Sequence, residues 1–232
     1  MWVILSKGIE QNTLMLPSQI IDEIAHIPFH KAVVAGPSFA RDLARNQITA
    51  VAVAATDDGI AQQLQTMLAC NYFRPYLSLD LVGIQLCGAL KNVITLGIGL
   101  LDGAGFTDNA KAFLFTRGLA EMKYIMHKAG GQQETLYGLA GIGDLVLTSM
   151  GSLSRNLEVG RLLGRGQQLD AILQQTGYIP EGINTVKSLH QMVQRHDLQL
   201  PIFEGIHQII FEGKPLETVI QHLMTRPLES DC

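Results

Sequence analysis

The chain has 232 residues, enough for one large domain or two small ones with a real core. Hydrophobic residues make up 47% of it and charged residues 16%, which excludes a disordered chain. A net charge of -4 leaves no basic footprint for nucleic acid, and three cysteines (Cys70, Cys87, Cys232) at wide spacing form neither a disulfide framework nor a zinc pattern.

The cysteine pattern makes a reducing cytoplasm the expected compartment, and the first run, MWVILS, is apolar but too short for a signal peptide and lacks a basic leader. As far as Asp80, short β-rich runs alternate with helical patterns: WVILS, a helix over 19–25, KAVVA, a helix over 39–45, ITAVAVAA, a helix over 58–69, and FRPYLSL. Continuous Val/Ile/Ala runs belong to parallel strands buried on both faces, the pattern of an open α/β sheet with crossover helices. After Asp80 the β signals nearly vanish. Long helices are predicted over 82–101 and 110–128, the second starting near Thr107–Asp108 and stopping at Gly130-Gly131. Shorter ones are predicted over 155–163, 168–175, 184–194, 202–211 and 216–224. The expected fold class is α/β then all-α. An incomplete doubly wound (Rossmann-like) parallel sheet over 1–80 is followed by an all-helical substrate domain over 81–232. The stretch 82–101 has transmembrane length, but Lys91 at its centre would cost about 2.5–3.5 kcal/mol in a bilayer. A buried helix, without membrane insertion, is the better reading.

No strand–GxGxxG–helix unit with a following acidic residue occurs anywhere in the sequence. Gly97-Ile98-Gly99 with Gly103 falls in or just after a long helix, and the cluster from Gly138 to Gly143 follows helical sequence. Neither has the context of a phosphate-binding turn.

Candidate chemistry lies elsewhere. Lys7-Gly8 directly follows the first strand, where open α/β sheets collect ligands, although a lysine there also serves as an ordinary strand end. Gly36-Pro37-Ser38-Phe39-Ala40 follows the KAVVA strand in the same way. Its glycine permits close approach, and Ser38 can cap the next helix and leave an N-terminus for anions. Lys91 stands alone in an apolar run; desolvation would lower its pKa toward neutrality, and snorkelling is the alternative. Asp144, in GIGDLVLT, is four residues from Thr148 and shares a helix face with it. It is either a partner for Lys91 or a surface helix cap. Ser154-Arg155-Asn156 reads as an N-cap and first turn. The arginine there opposes the helix dipole unless a phosphate binds, and a solvated side chain is the alternative. The seven histidines form no ligand spacing, and no metal site is expected.

Taken together, LSKGIE, VAGPSFARDLA, CGALKNVITLGIGLLDGAGFTDNAKAFLFTRGLAEM, GLAGIGDLVLT, SRNLEVGRLLGRG and IPEGINT resemble the bacterial-type NAD(P)-dependent glycerol-3-phosphate dehydrogenases. The resemblance runs from about Leu5 to Thr185. It implies an N-terminal Rossmann domain joined to a helical substrate domain, NAD or NADP as cofactor, and glycerol 3-phosphate and dihydroxyacetone phosphate as substrates. Lys91 would match the proton acceptor. Lys7, Gly36, Ser38, Lys91, Asp144, Ser154, Arg155 and Asn156 would match substrate-binding positions, and Lys7, Ala40, Arg155, Ile179 and Glu181 would border the cofactor. The first part of a typical member, with its glycine-rich turn and adenosine contacts, has no counterpart here. A sheet edge left bare invites aggregation or self-association, a homodimer being one form it could take. Two other readings stay open: a catalytically silent remnant that binds triose phosphate or a partner chain, and a different dehydrogenase acting on a hydroxyacid.

Overall fold

The Val- and Ala-rich runs become four strands in a computed structural model that describes residues 1–26 and 29–227: β1 Trp2–Ile4, β2 Lys31–Ala35, β3 Thr49–Ala55 and β4 Phe73–Leu77. Their order is β1-β2-β3-β4. β2 is buried along its whole length, while β1 and β4 form the edges, where Pro75 of β4 is tolerated. β1 pairs with β2 in parallel, and β3 with β4 likewise, but β2 and β3 run antiparallel, with Val33 opposite Ala54 and Ala35 opposite Ala52. The sheet is thus mixed where the sequence pattern pointed to parallel strands throughout. The segment between β2 and β3 carries only a one-turn helix, Ala40–Leu43, too little to cover a sheet face as a crossover.

The helices are α1 Pro17–Ile24, α2 Ala40–Leu43, α3 Asp58–Leu68, α4 Leu81–Gly103, α5 Asp108–Lys128, α6 Asp144–Met150, α7 Arg155–Gly164, α8 Leu169–Thr176, α9 Glu181–His196, α10 Pro201–Phe211 and α11 Leu216–Met224. Among the described residues, nothing after β4 is a strand. Asp80 starts the helical body. One carboxylate oxygen caps α4 through the Gly83 amide at 2.7 Å, and the other accepts from the Gln132 amide at 2.8 Å and the Thr135 hydroxyl at 2.6 Å. A single side chain thereby ties the start of α4 to the turn that follows α5.

α4 is the axis of this half, buried from Gly83 to Leu101. It is long and apolar enough to cross a membrane, yet here it is wrapped by α5, α6, α7, α9 and the sheet. Each fully buried leucine or isoleucine on it contributes roughly 1.5–3 kcal/mol. The glycine clusters of the sequence acquire a packing role. A methyl group on Gly160 of α7 would stand 2.3 Å from the Leu96 carbonyl oxygen, and one on Gly99 of α4 would stand 2.8 Å from the Gly160 Cα. The two helices cross backbone to backbone there. Cys70 is an exposed free thiol and Cys87 a buried one, whereas Cys232 lies outside the described residues. Burial, reinforced by the Asp80 and Asp144 carboxylates, pushes the Cys87 thiol up to about 12.

Candidate functional site

Halfway along α4 the side chain of Lys91 points inward, only 4% exposed, and its Nζ donates to Asp144 Oδ1 at 3.2 Å. The other oxygen of the same carboxylate, Oδ2, accepts from Lys7 Nζ at 2.5 Å. Asp144 is 2% exposed, so of its two readings from sequence the surface cap is excluded by geometry. Two ammonium groups therefore converge on one buried carboxylate.

Local sequence explains how the three arrive. Lys7 lies in the loop after β1. Its stem runs over Gly88 of α4, where a methyl group would stand 3.4 Å from the Lys7 Cγ, and the nearby Ile9 carbonyl accepts from Ser188 Oγ of α9 at 2.7 Å. Asp144 follows a π-helical turn, Leu139–Gly143, in which a methyl on Gly141 would fall 2.0 Å from the Leu136 carbonyl oxygen. Glycine lets this turn press against the backbone at Leu136, just before it, with Asp144 next in the chain and bonded to Lys91 of α4. One helical turn beyond the ion pair, Thr95 Oγ1 donates to the Lys91 carbonyl and Thr148 Oγ1 to the Asp144 carbonyl, each at 2.8 Å. The two hydroxyls stand 3.1 Å apart, where α4 meets α6.

Burial is the largest influence on Lys91 and the Lys7 charge the next; together they bring its pKa down to about 8, against the opposing pull of Asp144 and Glu181. An amine at that value gives up and regains a proton near neutral pH. Lys7, Lys91 and Asp144 by themselves carry more positive than negative charge, and Glu181 offsets part of it.

A polar network extends from this cluster to α7 and α9. Asn92, next to Lys91, donates from Nδ2 to Glu181 Oε2 at 3.0 Å. Its Oδ1 accepts from Asn156 Nδ2 at 3.0 Å, and Asn156 Oδ1 accepts from the Gly182 amide at 2.9 Å. Ser154 is the N-cap of α7 as its sequence indicates, accepting from the Leu157 amide at 3.3 Å. Arg155 is exposed at the first position of α7, its guanidinium carbon 5.4 Å from the centre of the Tyr178 ring. Ile179 is exposed in the same loop, two residues before Glu181.

Gly36 and Ser38 sit at the carboxyl end of β2, where Pro37 approaches Gly143 of the π-helical turn. Gly36 has φ +147, and a methyl there would stand 3.0 Å from the Val51 Cα, so only glycine fits. Ser38 does not cap α2. Its hydroxyl donates to the Gly36 carbonyl at 3.1 Å, Phe39 takes the cap position without a side-chain bond, and α2 is a single turn with little dipole. Ala40 is exposed at the start of that turn. Sequence reasoning missed Asn92, Thr95 and Tyr178. The first two were detectable as polar residues in a run that must be buried, since buried polar groups need partners.

Of the five residues expected to border a cofactor, Lys7 belongs to the Lys91–Asp144 cluster, Glu181 is joined to it through Asn92, and Ala40, Arg155 and Ile179 are exposed. The turn from β3 to α3 does not suit a pyrophosphate, because the Asp57 carboxylate already accepts from the Ile60 amide at 3.1 Å there.

Comparison with known proteins identifies two matching family models: NAD-dependent glycerol-3-phosphate dehydrogenase N-terminus over residues 1–61 and the corresponding C-terminus over residues 80–221. A glycerol-3-phosphate dehydrogenase [NAD(P)+] of Leuconostoc mesenteroides is 41% identical over 228 residues, covering 97% of this chain and 68% of the relative. One from Syntrophotalea carbinolica is 44% identical over 230 residues, with the same coverage. The crystal structure of a glycerol-3-phosphate dehydrogenase from Coxiella burnetii superimposes with a TM-score of 0.90 at 35% identity, over 97% of this chain and 68% of that one.

Proposed function

The chain belongs to the NAD-dependent glycerol-3-phosphate dehydrogenases, and we propose that its own catalytic part is the Lys91–Asp144–Lys7 cluster, acting in the interconversion of sn-glycerol 3-phosphate and dihydroxyacetone phosphate. NAD or NADP supplies or takes the hydride at C2 when bound. The observation that carries this reading is the convergence of two lysines on one buried carboxylate.

In oxidation the neutral amine of Lys91 removes the C2 hydroxyl proton, and in reduction its ammonium returns that proton. Asp144 holds the amine in place and, by its charge, keeps its pKa from falling further. Lys7 shares the carboxylate and adds positive charge. Arg155, together with the free amide groups at the start of α7, meets the phosphate. Gly36 and Ser38 close the substrate side at the end of β2, while Ala40, Ile179 and Glu181 border the nicotinamide. Residues 1–80 form the partial nucleotide-binding domain on this reading, and 81–232 form the substrate domain.

The test is NAD(P)H-dependent reduction of dihydroxyacetone phosphate by the purified chain, alone and with the nucleotide-binding half of a relative added in trans. Lys91→Ala should abolish turnover while calorimetric binding of glycerol 3-phosphate persists. Unchanged turnover removes Lys91 from its role, and binding without turnover by the unsubstituted chain in both arms favours a silent binding protein. Exposed Trp2, Val3 and Leu5 on the β1 edge support a homodimer, which sedimentation would reveal as twice the chain mass. Free Cys70 and Cys87 agree with a reducing cytoplasm.

A further inference from the structure

Arginine at the first position of a helix is poorly placed, because the positive end of the dipole repels it and its long side chain has many rotamers. Arg155 stands there, exposed, yet three groups around it are ordered in a consistent way. Its guanidinium faces the Tyr178 ring, with the guanidinium carbon 5.4 Å from the centroid. The Tyr178 hydroxyl donates to Glu158 Oε2 at 2.6 Å. Glu158 lies three residues beyond Arg155 on α7, close enough to pair with the arginine itself and pull it back along the helix. Bonded to the tyrosine, that carboxylate is held off. Tyr178 is fixed in turn, since it lies between a left-handed turn at Gly177 that ends α8 and Gly182, whose amide bonds Asn156.

We propose that Tyr178 is a positioning residue for phosphate recognition: its ring holds the Arg155 guanidinium toward the ligand, and its hydroxyl keeps Glu158 from competing for it. The inference rests on the function proposed above, in which Arg155 meets the substrate phosphate. Tyr178 itself touches no substrate.

Calorimetric titration of the full chain with glycerol 3-phosphate, without cofactor, tests this. Tyr178→Leu should weaken binding roughly three- to tenfold, the combined scale of an exposed cation–π contact and an unmasked i,i+3 ion pair. Tyr178→Phe keeps the ring and frees Glu158, so its loss should be smaller, and adding Glu158→Gln should restore affinity to it. In an Arg155→Leu background, Tyr178→Leu should change nothing further. A purely structural role would weaken binding equally in both backgrounds and would overturn the proposal, as would unchanged affinity in Tyr178→Leu alongside a weakened Arg155→Leu. If Tyr178→Leu does not fold, Tyr178→Phe with and without Glu158→Gln decides the matter. Failure of Arg155→Leu to weaken binding overturns the phosphate role of Arg155, and the clamp with it.

Discussion

Replacing Asp144 with Asn probes the centre of the mechanism, because the carboxylate touches both lysines. At 3.2 Å, with an effective dielectric of about 20, the Lys91–Asp144 attraction amounts to roughly 5 kcal/mol, close to four pKa units as an upper bound. Neighbouring opposite charges commonly shift a group by about 1–3 units. The sign is fixed by the causes. Asp144 raises the Lys91 value by charge and by hydrogen bond, so its loss must lower it from about 8. Lys7, freed of its partner, pushes the same way. In oxidation of glycerol 3-phosphate the base form is required, so the rising limb of kcat/KM against pH should move from near 8 to about 5–7. Lys7→Met should move that limb upward instead, because it removes the repulsion that depresses Lys91. The second ionisation of a phosphate monoester, near 6, is common to all variants and cancels in the comparison. Leaving buried charge without its partner costs about 3–5 kcal/mol, so melting curves must first show that each variant is folded. A limb that stays put in Asp144→Asn, or moves to higher pH, refutes the account of Lys91.

Two further expectations concern stability. Gly160→Ala would drive a methyl group to 2.3 Å from the Leu96 carbonyl oxygen, and separating α4 from α7 should cost about 1–3 kcal/mol, read as a lower Tm in calorimetry. Glu121, buried in α5, accepts the Ile202 and Phe203 amides at 2.6 and 3.0 Å, yet burial raises its pKa from 4.5 to about 8. The folded state then binds a proton that the unfolded state has lost, so stability should fall as pH rises from 4.5 through about 8. Glu121→Gln should flatten that slope in urea titrations at several pH values, and an equally steep slope in the variant would exclude this carboxyl as its source.

Much of the helical body is legible in the sequence because its signals are local. Asp80 and Ser154 each precede a helix and each accepts an amide of the first turn. The sheet direction was not legible. Strand character follows from Val and Ala runs, but whether β3 runs with or against β2 depends on what the intervening residues can cover, and that is a tertiary property. Ser38 illustrates the same limit. Its residue type permits a cap, but the backbone at Gly36, in a conformation only glycine adopts, brings its own carbonyl within reach first.

The candidate site divides along the same line. Lys91 and Asp144 stand out in sequence because each is a charge inside an apolar run, and a charge in such a place demands a partner. That demand predicts a pair. It does not predict that Lys7, 137 residues away, takes the second oxygen of the same carboxylate. Nor does it predict that Asn156 donates to Asn92, whose own amide nitrogen goes to Glu181. Those contacts arise where four segments meet: the loop after β1, α4, α6 and the start of α7. A fold selected for stability alone would place one lysine, or none, on a buried carboxylate, since an apolar replacement of similar volume is often as stable. Here two lysines divide one buried carboxylate, with Glu181 as a further negative charge near Lys91 and Lys7 still partly exposed. An anionic ligand seated beside Lys91 would supply the share of negative charge that Asp144 must divide between two amines.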